Sequence, residues 1–150
     1  MTALHLVAGV GVMSLFSLAG LLGAWRWWRV ETSRWFWRLL RAAQVVLGVQ
    51  VVLGGILLAQ GREPSDSLHL VYGLLPVGVS FVAEQLRIAA AQTVLDARGL
   101  EDARAVGDLP EADQRSVVVA ILRRELGVMT LAALFIAGLA ARAGFMSGAL

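Results

Sequence analysis

The sequence predicts an all-α integral membrane protein: a four-transmembrane-helix antiparallel bundle with the N- and C-termini outside. Three observations lead there. The chain has 150 residues, about one domain, yet 58% are hydrophobic and the mean hydropathy is +0.73, above the apolar share of a soluble domain. Four stretches between charges are about 20 residues long, the length of helix that crosses a hydrocarbon core of about 30 Å. All 13 basic residues are Arg, and they gather at the ends of those stretches.

The elements follow in chain order. The first span, residues 2–24, carries no charge, and only His5, Ser14 and Ser17 are notably polar within it. It lacks the basic segment that precedes the apolar core of a signal peptide. The second, 42–60, is interrupted only by Gln44 and Gln50 and closes at Gly61-Arg62-Glu63-Pro64. The third, 68–87, begins apolar and continues helically through Glu84, Arg87 and the Ile88-Ala-Ala-Ala-Gln92 stretch as it leaves the bilayer. The fourth, 126–146, follows Arg123-Arg124-Glu125. Backbone groups in lipid must be satisfied internally, so all four are expected to be helices.

Between them lie inner loops at 25–41 and 88–125 and an outer loop at 61–67. The inner segments hold eleven Arg: residues 26, 29, 34, 38 and 41, then six from Arg87 to Arg124. The outer segments hold two, Arg62 and Arg142. The positive-inside rule therefore places both termini outside, with the bacterial cytoplasmic membrane as the expected location. All five Trp (25, 27, 28, 35 and 37) flank the first inner loop as an aromatic belt. In the second inner loop, Asp108-Leu-Pro-Glu111 reads as a helix start, with Asp108 as N-cap and Glu111 at the capping-box position. A short amphipathic helix is expected there, leading into the fourth span.

Composition narrows the chemistry. The chain has no Cys, which excludes disulfides, thiolate metal sites, iron–sulfur clusters and cysteine nucleophiles. No basic stripe runs along one element, so nucleic acid is not an expected partner. The lipid bilayer is. His occurs only twice, and both copies lie in a short repeat: Leu4-His-Leu-Val-Ala-Gly9 recurs as Leu68-His-Leu-Val-Tyr-Gly73, five of six positions being identical. Both copies open a helix that runs from outside to inside, so His5 and His69 are expected at matching depth. Gly9 and Gly73 each stand four residues later, on the same helical face.

Those features have a chemical reading. A haem held by two axial imidazoles needs one His from each of two helices at equal depth, with a small residue one turn away. Helical bundles build cofactor sites from facing helices, His is a standard haem ligand, and polar groups inside spans are functional candidates. Arg62, on the same side as both His, is a candidate partner for haem propionates, with a solvated loop charge beside Glu63 or Asp66 as the alternative; Arg142 is a weaker candidate. Tyr72, the only Tyr, either hydrogen-bonds near the site or belongs to the interfacial belt. Glu84 lies about 22 Å along the helix from His69, too far for the same iron, and its simplest partner is Arg87 at i+3. Gln44 and Gln50 read as interhelical hydrogen-bond partners, and Gly48, Gly54 and Gly55 suit close helix packing.

The residues also resemble a family. His5-Leu-Val-Ala-Gly-Val-Gly, running into Ala24-Trp-Arg-Trp-Trp-Arg29, looks like a haem-ligating helix of the haem A synthase family. Gln44-Val-Val-Leu-Gly48 and Gln50-Val-Val-Leu-Gly54 are similar to that family's Gln-x-x-Leu-Gly helix, which leads by an outer loop to a second ligand helix, as here to His69. The resemblance spans about residues 4 to 85 and implies that His5 and His69 are the axial pair of one haem b. It covers one ligand-bearing half of that family, with no Cys and a short outer loop. The implied protein is therefore a b-type cytochrome-like electron carrier or haem-handling relative, with no independent catalytic activity unless it serves as the redox subunit of an oxidoreductase complex. Other membrane subunits or an outer-face redox partner would take its electrons. The alternative reading is a non-catalytic accessory or assembly subunit of a respiratory membrane complex, suggested by small size and Gly-rich helix faces.

Overall fold

A computed structural model describes residues 2–62 and 67–146. The described residues are all-helical, without strands. They form α1 (Thr2–Arg29), α2 (Arg34–Ala59), α3 (Ser67–Ala97), a short α4 (Ala103–Gly107) and α5 (Glu111–Met146). Four of the five are long and apolar enough to cross a membrane.

The helices extend well past the apolar windows. The segment 25–41 is mostly helix: α1 continues to Arg29 and α2 begins at Arg34, leaving Val30–Ser33 as the only connection. Ser33 caps α2, its Oγ accepting from Phe36 N at 3.2 Å. Three helices end by one device, in which the backbone turns left-handed and the next two N–H groups reach back to the last turn. After α1, Val30 N bonds Trp27 O at 3.2 Å and Glu31 N bonds Arg26 O at 3.0 Å. Gly61 and Gly99 play the same part after α2 and α3, at φ +74° and +66°. Glycine takes that conformation freely. Val30, at φ 54°, takes it against the steric preference of a β-branched side chain.

The expected helix start at Asp108 is corrected. Asp108 follows the last turn of α4, and α5 opens at Glu111, directly after Pro110. The N-cap that does form is Asp102, whose carboxylate accepts from Arg104 N and Ala105 N at 2.8 and 3.0 Å. Gln114 covers the end of α4 instead, donating to the carbonyls of Gly107 and Leu109. The separate amphipathic helix expected before the fourth span is absent as a unit, because residues 111–146 are one helix. The segment 88–125 is likewise no open loop: Val94, Leu95 and Val117 form a small core, with Leu100, Val106 and Leu109 packed on it.

The main core joins α1, α2 and α5, through Phe16, Phe36, Leu40, Met129 and Ile136. Small residues set its spacing. A Cβ on Gly20 would strike Leu134, one on Gly23 would strike Thr130 and Phe36, and one on Gly127 would stand 3.0 Å from Trp27. Helices in lipid gain their association from such close approach. Gly23→Val is therefore expected to lower unfolding stability in detergent by about 1–3 kcal/mol, the usual cost of overpacking a filled core; unchanged stability would contradict this packing. The outward faces are apolar, with Val7, Leu21, Val45, Phe81 and Phe135 all exposed. A face of that kind suits lipid. Of the five Trp, Trp25, Trp28 and Trp35 are exposed, whereas Trp27 and Trp37 turn inward against the core.

α1 packs along both α2 and α5, and α3 packs along α5, while α2 and α3 touch only sparsely. The α2–α3 side is thus a seam, and the second of the two polar groups described below bridges it.

Candidate functional site

At one end of the helices the two histidines meet. His5 is in the first turn of α1 and His69 in the first turn of α3, and their ring centroids stand 6.2 Å apart with planes inclined by 58°. Both rings are half-buried. The equal depth expected from the repeat is realised as direct adjacency of residues 64 positions apart in the chain.

A third side chain belongs to this group. Gln50 of α2 brings its amide Nε2 to 3.3 Å from His5 Nε2. The close approach depends on two glycines. A Cβ on Gly9 would stand 3.1 Å from Gln50 Nε2, and one on Gly54 would stand 3.3 Å from His5 Cε1. His5 and Gly9 are four residues apart on α1, as are Gln50 and Gly54 on α2, so each pair shares a face. The two faces interlock, each glycine making room for the polar side chain of the other helix. On α3 the matching Gly73 faces open space.

Hydrogen-bond accounting marks the same place. Buried polar groups in folded proteins are nearly always paired, and an exception requires an explanation. Among the described residues, five buried side-chain polar atoms lack a partner: His5 Nδ1, His69 Nδ1, Gln50 Oε1, Arg26 Nε and Thr130 Oγ1. Three of the five therefore fall in this one cluster.

The remaining sequence candidates are placed as follows. Arg62 lies at the same end, where its Nη1 donates to Thr2 Oγ1 at 3.0 Å and ties the end of α2 to the start of α1. Glu63 and Asp66, its alternative partners, lie outside the described residues. Tyr72 is half-buried, one turn beyond His69. Arg142 is exposed on the last turns of α5. The sequence signalled Gln50 as an interhelical hydrogen-bond partner, but not that its partner is His5.

Toward the Arg-rich end a second polar group crosses the seam. Glu84 of α3 accepts from Arg41 Nη1 at 2.5 Å, Gln44 Nε2 at 3.0 Å and Arg87 Nε at 3.0 Å. Gln44 also donates to Ser80 Oγ at 3.1 Å. Arg87 lies over the Trp37 ring, 5.6 Å from its centroid, and 4.0 Å from Glu125 of α5. The expected Arg87 partner of Glu84 is present, and so is the interhelical role of Gln44. Two Arg against two Glu leave the group neutral in formal charge. It joins α2, α3 and α5 and contains no unpartnered acid to act as a base.

A concave surface on the α3–α5 side carries no polar group. It is an open groove of about 390 Å³ between α3 and α5, lined by residues such as Leu75, Val79, Val82 and Phe135. Nothing there could orient a substrate. No group of three or more His, Cys, Asp or Glu is placed to hold a metal ion among the described residues, so imidazole chemistry rests on the pair alone.

Fold and site together define a class: a multi-pass helical membrane protein with paired histidines at one end. Comparison with protein-family models, curated proteins and solved structures finds no match to this chain.

Proposed function

We propose that the chain is a b-type cytochrome-like membrane protein that holds one haem b through His5 and His69, for electron transfer or haem handling. The observation that carries this reading is the spacing of the two imidazoles. Two imidazoles bound in line on opposite sides of one metal, at nitrogen–metal bonds of about 2.0 Å and with ring bonds of about 1.33 Å, would have centroids about 6.3 Å apart. The observed separation is 6.2 Å. The unpartnered Nδ1 atoms of both rings add to it, since they mark a place whose polar groups the chain itself leaves unsatisfied.

In this reading the helices form an antiparallel bundle with both termini outside, in the bacterial cytoplasmic membrane, and the haem lies near the outer leaflet. His5 and His69 would hold its iron. Arg62, at that end, supplies a guanidinium suited to propionates. When bound, haem would supply one-electron chemistry for a partner at the outer face or within the membrane. Titrating haem b into the purified full chain in detergent is expected to saturate at one equivalent with the spectrum of a six-coordinate low-spin cytochrome. A chain that takes up no haem would instead favour the accessory-subunit reading, which co-purification with a stoichiometric membrane complex would support.

A further inference from the structure

We infer that the first turns of α2, where Arg34, Trp35 and Arg38 stand exposed, hold the headgroup of an anionic phospholipid whose acyl chain runs along the apolar face beyond them. This is independent of the haem reading. The acids that the chain places at this end are already engaged. Glu31 receives Arg26 and Arg29, Glu84 receives Arg41 and Arg87, and Glu125 lies 4.0 Å from Arg87. Among the described residues, neither Arg34 nor Arg38 has a carboxylate partner.

These charges are unfavourable to the helix that carries them. α2 opens on Arg34 with no acid in its first turn, so a cation stands at the positive end of the helix dipole. Arg34 and Arg38 at i, i+4, and Arg38 and Arg41 at i, i+3, repel as like charges on one helix surface. An anion bound there offsets both costs. The surroundings define which anion. Arg38 lies over the Trp35 ring, 5.3 Å from its centroid, and Trp35 is 67% exposed, an indole of the kind that settles at headgroup level. From Arg38 the same face of α2 continues through Ala42, Val45, Val49 and Val52, all of them exposed. Arg38 to Val49 spans about 16 Å of helix, against about 15 Å for one leaflet of a hydrocarbon core. Cationic site, indole and apolar strip thus match a phosphate headgroup with its chain. A free phosphate makes no use of the strip, and a second copy of the chain, paired face to face, would bring the same arginines against it.

The test uses the full chain in detergent micelles, with binding of brominated-chain phosphatidylglycerol and phosphatidylcholine read by quenching of tryptophan fluorescence. The wild type is expected to bind phosphatidylglycerol about 30-fold more tightly than phosphatidylcholine, near fivefold for each of two arginines. The double variant Arg34→Gln, Arg38→Gln is expected to lose that preference and keep its affinity for phosphatidylcholine. The double variant Arg104→Gln, Arg115→Gln removes as much charge from exposed positions on α4 and the start of α5, and is expected to keep the preference. An equal loss in this second variant would show general charge attraction and overturns the site. Equal binding of the two lipids by the wild type overturns the proposal whether or not the variants fold, and gives the face to a second copy if the chain then sediments as a dimer. Displacement of phosphatidylglycerol by inorganic phosphate, beyond that by sodium chloride of equal ionic strength, overturns the lipid in favour of a free anion.

Discussion

Replacing either His5 or His69 with Ala is expected to abolish six-coordinate low-spin haem binding while leaving the chain folded. The loss in haem affinity should exceed the about 10- to 100-fold that outer hydrogen-bond partners contribute at metal sites, because an iron bond itself is removed. The fold should survive, since each ring is only half-buried and each carries a buried nitrogen without a partner. Removing a group together with its unsatisfied atom costs little and can relieve strain. The two ligands act as a unit, so the double variant should be little worse than either single one. Absorption spectra of the two single variants and the double variant, read beside their far-ultraviolet circular dichroism, check this. A low-spin spectrum that persists in both single variants would show that the iron is held elsewhere.

The second large effect is expected at the other end. Glu84→Leu removes the carboxylate that receives Arg41, Gln44 and Arg87 and leaves two guanidinium groups with one acid, Glu125, between them. Stripping one partner from a fully buried pair costs about 3–5 kcal/mol. Glu84 keeps 21% of its side-chain surface exposed and Arg41 keeps 50%, so the loss should be nearer about 1–3 kcal/mol, the range for hydrogen bonds to charged groups. Because α2 and α3 otherwise meet sparsely, the loss should appear first as separation of these two helices. A double-mutant cycle with Arg41→Leu, followed by thermal unfolding in detergent, measures the coupling. Additive effects would mean that the pair does not hold the seam. Haem affinity should be unaffected, since Glu84 lies about 22 Å along α3 from His69.

These two ends were not equally legible in the sequence. The four long helices follow from apolar length alone, because a bilayer-spanning segment is encoded in consecutive residues. The boundaries follow only in part: the run of α3 through Glu84 and Arg87 to Gln92 was legible, whereas helix also continues through Arg26 and Arg29, since charge at a membrane surface ends an apolar window without ending a helix. The turn at Asp108 was misread because the Asp-x-x-Glu pattern can also arise where one helix ends and the next begins, and only tertiary placement of Gln114 separates the cases. The repeat around His5 and His69 predicted equal depth, and the structure brings the two rings together. Gln50 was legible as an interhelical donor, but its link to His5 was not, because the interlock at Gly9 and Gly54 depends on the rotation of α2 against α1. The neutral group around Glu84 was half visible, through Arg87 at i+3. Arg41 lies 43 residues away, and no local spacing announces it.

The central claim is that one iron is shared by His5 and His69. Low-temperature electron paramagnetic resonance of the oxidised, haem-loaded chain tests it most directly, with the His5→Ala variant measured in parallel. The account predicts a low-spin bis-imidazole signal from one haem per chain, converted to high spin or lost in the variant. A high-spin signal in the wild type, or no bound haem at saturating haem b, would contradict it.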